Sequence, residues 1–480
     1  MKAWSILVGG ELRGARDGET IEVTNPATGE AIGTVPRCRE ADVDDAVAAA
    51  RAAFAGWRAT NPLERAARLG ALADAITEHA EELAMLDVLE NGSPIREMRG
   101  DAFAAAAQLR YFAGLALALR GETIPGEADR LNYTLMEPFG VVGRIVPFNH
   151  PLMFAAGRAA APLIAGNTLV VKPSEHTSTS ALALAELASE LLPPGVFNVV
   201  TGYGEEAGDA LVTHRDVRRI AFTGSAEVGR AIQRRAATHV VKTVTLELGG
   251  KNPIVVFADA DIEAAIAGAL RGMNFTWQGQ SCGSTSRLLV HSSLHGEFVS
   301  RLGERMDAMR SGPPQEEQTE TGAIVHRRQY EKVLSYLAIG REEGARVVAG
   351  GGPPDDPRLA NGLFVRPTLF DGVAPGSRLA QEEIFGPVLA AMGFETYEQA
   401  LAIANGVSLG LTASVYTSDL GVAHRFARDV QAGYVWVNDT AKHIPGTAFG
   451  GVKDSGVGRE EGAEELASYA QVKNVNVSFG

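Results

Sequence analysis

The feature that most constrains this chain is a repeated alternation of short apolar strands with stretches of helical length. TLVVK (168–172), FNVVTG (197–202), RRIAFTG (218–224) and KTVTLELGG (242–250) are strand-length runs rich in β-branched residues, and amphipathic segments separate them. Strand, helix, strand at this rhythm predicts a parallel α/β sheet, because parallel neighbours need a crossover that a helix supplies. A second series follows: SRLLVH (286–291), ARVVAG (345–350), LTASVYT (411–417) and GYVWVN (433–438). Two sheets in succession predict two lobes with a site between them. The 480 residues agree, since one compact core does not grow that large.

The remaining segments are read around that frame. Helical periodicity fills most of 42–119, with breaks at Pro62 and at NGSP (91–94). AFAAAAQLRYFAGLALAL (102–119) is interrupted by Gln108 and Arg110, which predicts a buried helix and not a membrane span. LNYTLMEPFGVVGRIV (131–146) predicts a hairpin-like excursion around Pro138. The first nineteen residues predict a short hairpin and lack the pattern of a cleavable leader.

Charge and cysteine content narrow the function. A formal charge of -14 argues against nucleic-acid and anionic-membrane partners, which need basic patches, and favours a small organic substrate. With 45% hydrophobic and 21% charged residues the chain is composed like a soluble globular protein. Two cysteines cannot build a disulfide framework, so a reducing compartment, the cytoplasm, is expected. No metal site is expected.

Parallel sheets bind ligands at the carboxyl ends of their strands. GYGEEAG (202–208) and GSAEVG (224–229) are glycine-rich loops at such ends, expected to sit on adjacent strands and to open helices whose N–H groups suit a pyrophosphate. Neither has G-x-G-x-x-G spacing, so tight glycine turns are the competing reading for each. Together they favour a dinucleotide, with Ser225 as an added donor. KPSE (172–175) is either a solvated loop or a pair of ribose-binding groups, in which Glu175 would favour NAD over NADP. Glu247, in ELGGKNP (247–253), is a structural cap or a general base with a burial-raised pKa. Asn149, in PFNHP (147–151), is a turn residue or a rigid donor to a developing oxyanion. Cys282, in GQSCG (279–283), is apolar filler or a nucleophile.

PFNHP, KPSE, FTGSAEVG, ELGGKNP, GQSC, EEIFGPV (382–388) and FGGVKDSGVGREEG (449–462) stand in the order and spacing of the NAD(P)-dependent aldehyde dehydrogenase superfamily, which the chain resembles over nearly its whole length. The resemblance implies an α/β fold with a Rossmann-type cofactor domain (1–120 and 140–249), an α/β catalytic domain (250–452) and a small β oligomerisation element (121–139 and 465–480). It implies Cys282 as nucleophile, Glu247 as general base and Asn149 as oxyanion donor. It assigns the cofactor to Lys172, Ser174, Glu175, Gly204, Gly208, Phe222, Gly224, Ser225, Val228, Leu248, Glu383 and Phe385. NAD is the expected cofactor, with NADP as the alternative, an aldehyde the substrate, and a homodimer or homotetramer the assembly.

The family likeness also shapes the substrate expectation. The substrate tunnel is expected between the helix DAFAAAAQLRYF (101–112) and the helix after Asn149. The alanines of the first and Gly157 on the second leave it wide, and Arg158 is expected to turn away. A bulky, largely apolar aldehyde, including an aromatic one, is the expected substrate. His150, Lys442 and His443 are the candidates for polar contacts. His150 after the asparagine, Ser281 and Gly283 beside the cysteine, and Ala448 before FGG depart from the common pattern. Two rivals are a CoA-acylating semialdehyde dehydrogenase, against which Glu247 counts, and a non-catalytic nucleotide-binding protein on the same fold.

Overall fold

The computed structural model describes residues 2–479. Two large sheets carry it. The first has eight strands in the order Gly456–Val457, Thr243–Glu247, Val217–Thr223, Val141–Ile145, Thr168–Lys172, Phe197–Val199, Ile6–Val8 and Glu11–Arg13. Its five central strands run parallel, and the flanking pieces pair antiparallel. Leu169, Val170 and Val171 are fully buried, as a strand covered on both faces requires. The expected N-terminal hairpin is present and closes this sheet's far edge.

The second sheet has seven strands in the order Arg346–Ala349, Thr368–Asp371, Val388–Phe394, Arg287–His291, Pro253–Val256, Thr412–Tyr416 and Tyr434–Val437. PIVV, TLFD and VLAAMGF were not among the predicted strands. Each is an apolar run that periodicity alone does not separate from a buried helix segment. ARVVAG departs from the parallel pattern, because Arg346–Ala349 pairs antiparallel at the edge.

Three expectations are corrected. LNYTLMEPFGVVGRIV is not one hairpin: Arg130–Pro138 pairs with Ala470–Ser478 and Thr123–Ile124 in a separate three-stranded sheet, while Val141–Ile145 joins the large sheet. Gly140, at φ +113, makes the turn between them. The strands before the two glycine loops are not adjacent, since Val141–Ile145 and Thr168–Lys172 lie between them. The alanine-rich helix runs Ile95–Gly114 and stops there, leaving 115–118 as turns with Leu117 exposed. Among the described residues no helix is long and apolar enough to cross a membrane.

Candidate active site

Glu247 ends its strand, and the two glycines that follow make room for what meets it. A Cβ on Gly249 would overlap the Glu383 carboxylate, and one on Gly250 would overlap the Cys282 carbonyl oxygen. Glu383 Oε1 accepts the Gly250 N–H at 2.8 Å, and Asn252 Nδ2 donates to the Cys282 carbonyl at 2.7 Å. ELGGKNP thus binds the cysteine loop and the EEIFGPV loop to one strand end. Cys282 itself follows a short 3-10 turn, Phe275–Trp277, entered and left through left-handed residues Asn274 and Gln278.

Three cavities meet here. One of about 850 Å³ is lined by Cys282, Glu247 and Thr223 together with Trp277, Phe154 and Trp436. A narrow one of about 140 Å³ shares Cys282, Glu247 and Thr223 with it and adds Asn149, Leu248, Glu383 and Phe385. The third, about 600 Å³, shares Pro147, Phe148, Thr223, Gly224 and Ser225 with the narrow one. Lys172, Ser174, Glu175, Gly204 and Gly208 also line this third cleft, as do Phe222 and Val228. The chain therefore gathers the twelve candidate cofactor residues on one side of Cys282 and a roomy, aromatic cavity on the other.

The cleft has the groups that a dinucleotide needs. Ser225 caps the helix Ala226–Ala236, its Oγ accepting the Val228 N–H at 3.3 Å, so its own O–H remains free to donate. Gly204 opens a π-helical turn, Gly204–Gly208, with nothing within 4 Å of where its Cβ would be. Lys172 and Glu175 pair at 3.3 Å. Burial pushes the Lys172 ammonium down against the pull of Glu175; burial also acts to raise Glu175, but Lys172, a backbone N–H and His176 together draw it below the usual carboxylate range, so the carboxylate stays ionised and able to accept from a ribose hydroxyl.

The candidate reacting groups are held in a desolvated setting. Burial pushes the Cys282 thiol up to about 12, with Glu383 and then Glu247 adding to it. Burial, then the charge of Glu460, holds Glu247 well above the usual carboxylate range, against Arg158, Arg459 and Arg144. Neither Glu247 oxygen has a hydrogen-bond partner among the described residues. The Asn149 residue is 3% exposed. Phe385 sits at φ +58, a conformation costing about 1–3 kcal/mol for a non-glycine residue. Gln329 Nε2 pins it by donating to the carbonyls of Ile384 and Phe385 at 2.9 and 2.8 Å, and Phe148 meets its ring edge-on at 5.6 Å.

Sequence reasoning missed the buried charges behind Glu247. Glu460 lies between Arg144 (2.6 Å) and Arg158 (3.0 Å), and Glu461 between Arg158 (2.7 Å) and His443 (3.0 Å). Although burial alone would raise it, Arg158 and then His443 draw Glu461 down to about 2. The available signal was an arginine inside each of two apolar runs, GRIV and FAAGRAAAP, since charges enter such runs only when paired. Gln329 and Lys332 were missed too; Lys332 Nζ donates to the Glu383 carbonyl at 2.9 Å.

The tunnel expectation needs correcting in two places. Arg158 lines the 850 Å³ cavity and does not turn away from it, but its charge is taken by Glu460 and Glu461. The space that Gly157 leaves is filled, because a Cβ there would overlap the Gln108 amide oxygen. His150 and His443 are on the cavity wall, whereas Lys442 is not.

The sequence matches the aldehyde dehydrogenase family over residues 13–475. It is 44% identical over 466 residues to aldehyde dehydrogenase tropH of Talaromyces stipitatus, covering 96% of this chain and 90% of that one. It is 43% identical over 465 residues to a betaine aldehyde dehydrogenase of Cereibacter sphaeroides, covering 96% and 95%. The NAD+ complex of an aldehyde dehydrogenase from Bacillus cereus superposes with a TM-score of 0.97 at 41% identity, covering 100% of this chain and 97% of that one.

Proposed function

The chain belongs to the aldehyde dehydrogenase family, an oxidoreductase acting on aldehydes with NAD as cofactor, and on that footing we propose that it forms the carboxylic acid through a covalent adduct on Cys282. The observation that carries this is the shared wall: Cys282 and Glu247 line both the narrow cavity that adjoins the cofactor cleft and the large cavity beyond. The Cys282 sulfur adds to the aldehyde carbon as its S–H proton passes to solvent, and the oxyanion takes a hydrogen bond from the Asn149 amide and the Cys282 N–H. NAD, held by Lys172, Glu175, Ser225, Glu383 and Phe385, supplies the hydride acceptor. Loss of hydride from the adduct leaves a thioester on Cys282. Glu247 then takes a proton from the water that attacks the thioester, and the acid leaves with the thiolate restored.

In this reading residues 1–120 and 140–249 form the NAD-binding domain, 250–452 the catalytic domain, and 121–139 with 465–480 the assembly element. Leu131, Leu135 and Val472 are exposed apolar side chains on that element's three-stranded sheet, a surface that a partner subunit would cover. A homodimer or homotetramer is expected by light scattering at micromolar concentration, and a lone 50.6 kDa species would contradict it.

The proposed substrate is a bulky, largely apolar aldehyde. Trp277, Phe154, Trp436, Phe449 and Met153 wall the cavity, and its arginines are engaged: Arg158 by Glu460 and Glu461, Arg271 by Asp439, Arg305 by Glu263. None is left for a substrate carboxylate. A second reading, a quaternary-ammonium aldehyde, draws on the same tryptophan faces and on the carboxylates Glu97 and Glu461 at the wall. NADH formation with benzaldehyde-type, long aliphatic, betaine and succinic semialdehydes separates them. The benzaldehyde or long aliphatic members should show the highest kcat/KM; a lead for betaine aldehyde selects the second reading, and one for succinic semialdehyde refutes both.

Cofactor choice is tested at Glu175. Wild type should use NAD more efficiently than NADP, and Glu175→Gln should narrow the gap by removing a charge that repels a 2′-phosphate. A wild type that prefers NADP rejects the role given to Glu175.

A further inference from the structure

Most charged side chains on the wall of the 850 Å³ cavity are paired, whereas Glu247, Gln108 Oε1 and Trp277 Nε1 have no hydrogen-bond partner among the described residues. The three arginines are paired, Glu247, Glu460 and Glu461 belong to the reacting centre and its ionic cluster, and Gln108 faces Gly157. Two imidazoles stand apart. His150 and His443 are each anchored through Nδ1 by a carboxylate, Asp101 Oδ2 at 2.7 Å and Glu461 Oε2 at 3.0 Å. A carboxylate accepts, so each Nδ1 donates, and Nε2 is an acceptor whenever the ring carries no second proton. Neither Nε2 has a partner among the described residues.

His150 is the better placed of the two. It directly follows Asn149, its side chain is 13% exposed, and its ring is wedged between Trp277 and Phe154 at centroid distances of 5.4 and 5.6 Å. His443 is 42% exposed. A rigid acceptor in an aromatic cavity is costly to leave unpaired when an apolar ligand excludes water. It therefore discriminates between ligands that donate a hydrogen bond and ligands of the same shape that do not.

We propose that His150, oriented by Asp101, is a specificity-determining residue that accepts a hydrogen bond from a hydroxyl on the substrate, so that the enzyme favours hydroxylated aromatic aldehydes over their unsubstituted parents. This rests on the reading of the 850 Å³ cavity as the aldehyde site for a bulky apolar substrate.

The test is kcat/KM with saturating NAD for benzaldehyde, meta- and para-hydroxybenzaldehyde and the matching methoxybenzaldehydes, at a pH about one unit above the ordinary imidazole pKa, where the ring is neutral and the less acidic meta phenol keeps its proton. Methoxy groups donate electrons to the ring much as hydroxyls do but have no proton to give. In wild type at least one hydroxybenzaldehyde should exceed both its methoxy partner and benzaldehyde by about tenfold, the scale of one hydrogen bond in a water-excluded site. In His150→Phe that ratio, taken within the variant, should fall to about one. Equal efficiencies for hydroxy, methoxy and parent aldehydes in wild type overturn the role of His150 while leaving the cavity reading intact, and this comparison needs no variant to fold. A ratio that survives in His150→Phe overturns it also. Turnover of betaine or short aliphatic aldehydes with none of the aromatic series rejects the cavity reading itself, and this proposal with it.

Discussion

Cys282→Ala is expected to abolish aldehyde-dependent NADH formation while leaving NAD binding in place. Among the described residues Cys282 is the only cysteine that lines any of the three cavities. Cys38 is fully buried, its thiol pushed up to about 12 by burial and by Asp42, and its contact is the Thr201 hydroxyl at 3.9 Å. Loss of the nucleophile in a covalent enzyme costs on the order of a millionfold in kcat, so the variant should fall below detection in both the burst and the steady state. Cys38→Ala should retain turnover, since it removes only a packed sulfur. Because burial also pushes the Cys282 thiol up to about 12, the resting group is the thiol, and alkylation near neutral pH should be slow and should accelerate as pH rises. Substantial turnover in Cys282→Ala would show that no covalent adduct on this residue is needed.

Glu247→Gln is expected to cut steady turnover by roughly a hundredfold or more, the scale of general-base loss, while a burst of NADH remains. The burst survives because hydride loss precedes the hydrolysis that Glu247 serves. The pH dependence adds a second readout. Burial, then Glu460, raises the Glu247 pKa well above the usual range, and only the ionised carboxylate can accept a proton. Deacylation should therefore climb with pH through the raised pKa, where an ordinary carboxylate would have reached its plateau at mildly acidic pH. Glutamine should remove that climb. A variant with unchanged steady turnover, or with no burst, would move the base to another residue or place it before hydride loss.

The strands of the eight-stranded sheet were legible because TLVVK, RRIAFTG and KTVTLELGG are apolar runs of strand length bounded by polar turns, and local periodicity is the physical signal of a covered strand. PIVV and TLFD were not, since two or three apolar residues next to a proline or an aspartate fit a strand, a loop or a buried helix end equally well. Glu247, Asn149 and Cys282 could be singled out in the chain only as candidates, each with a structural alternative. Their chemistry depends on neighbours more than thirty residues away in the chain. Local sequence also misjudged Gly157. Its missing side chain suggested space, but Gln108, on another helix, occupies it.

The sequence by itself determined the alternating α/β architecture, the glycine-rich strand ends and the order of the motifs, because these are local matters of backbone propensity and spacing. Tertiary structure decided which side chains share a wall. Only packing sets Cys282 and Glu247 on the wall shared by the narrow cavity and the large aromatic one. Only packing buries Glu460 between Arg144 and Arg158 behind the base, and only packing ties His150 to Asp101. Burial and charge pairing set proton affinities and hydrogen-bonding capacity, and both are properties of the folded surroundings of a residue, which one-dimensional spacing does not encode.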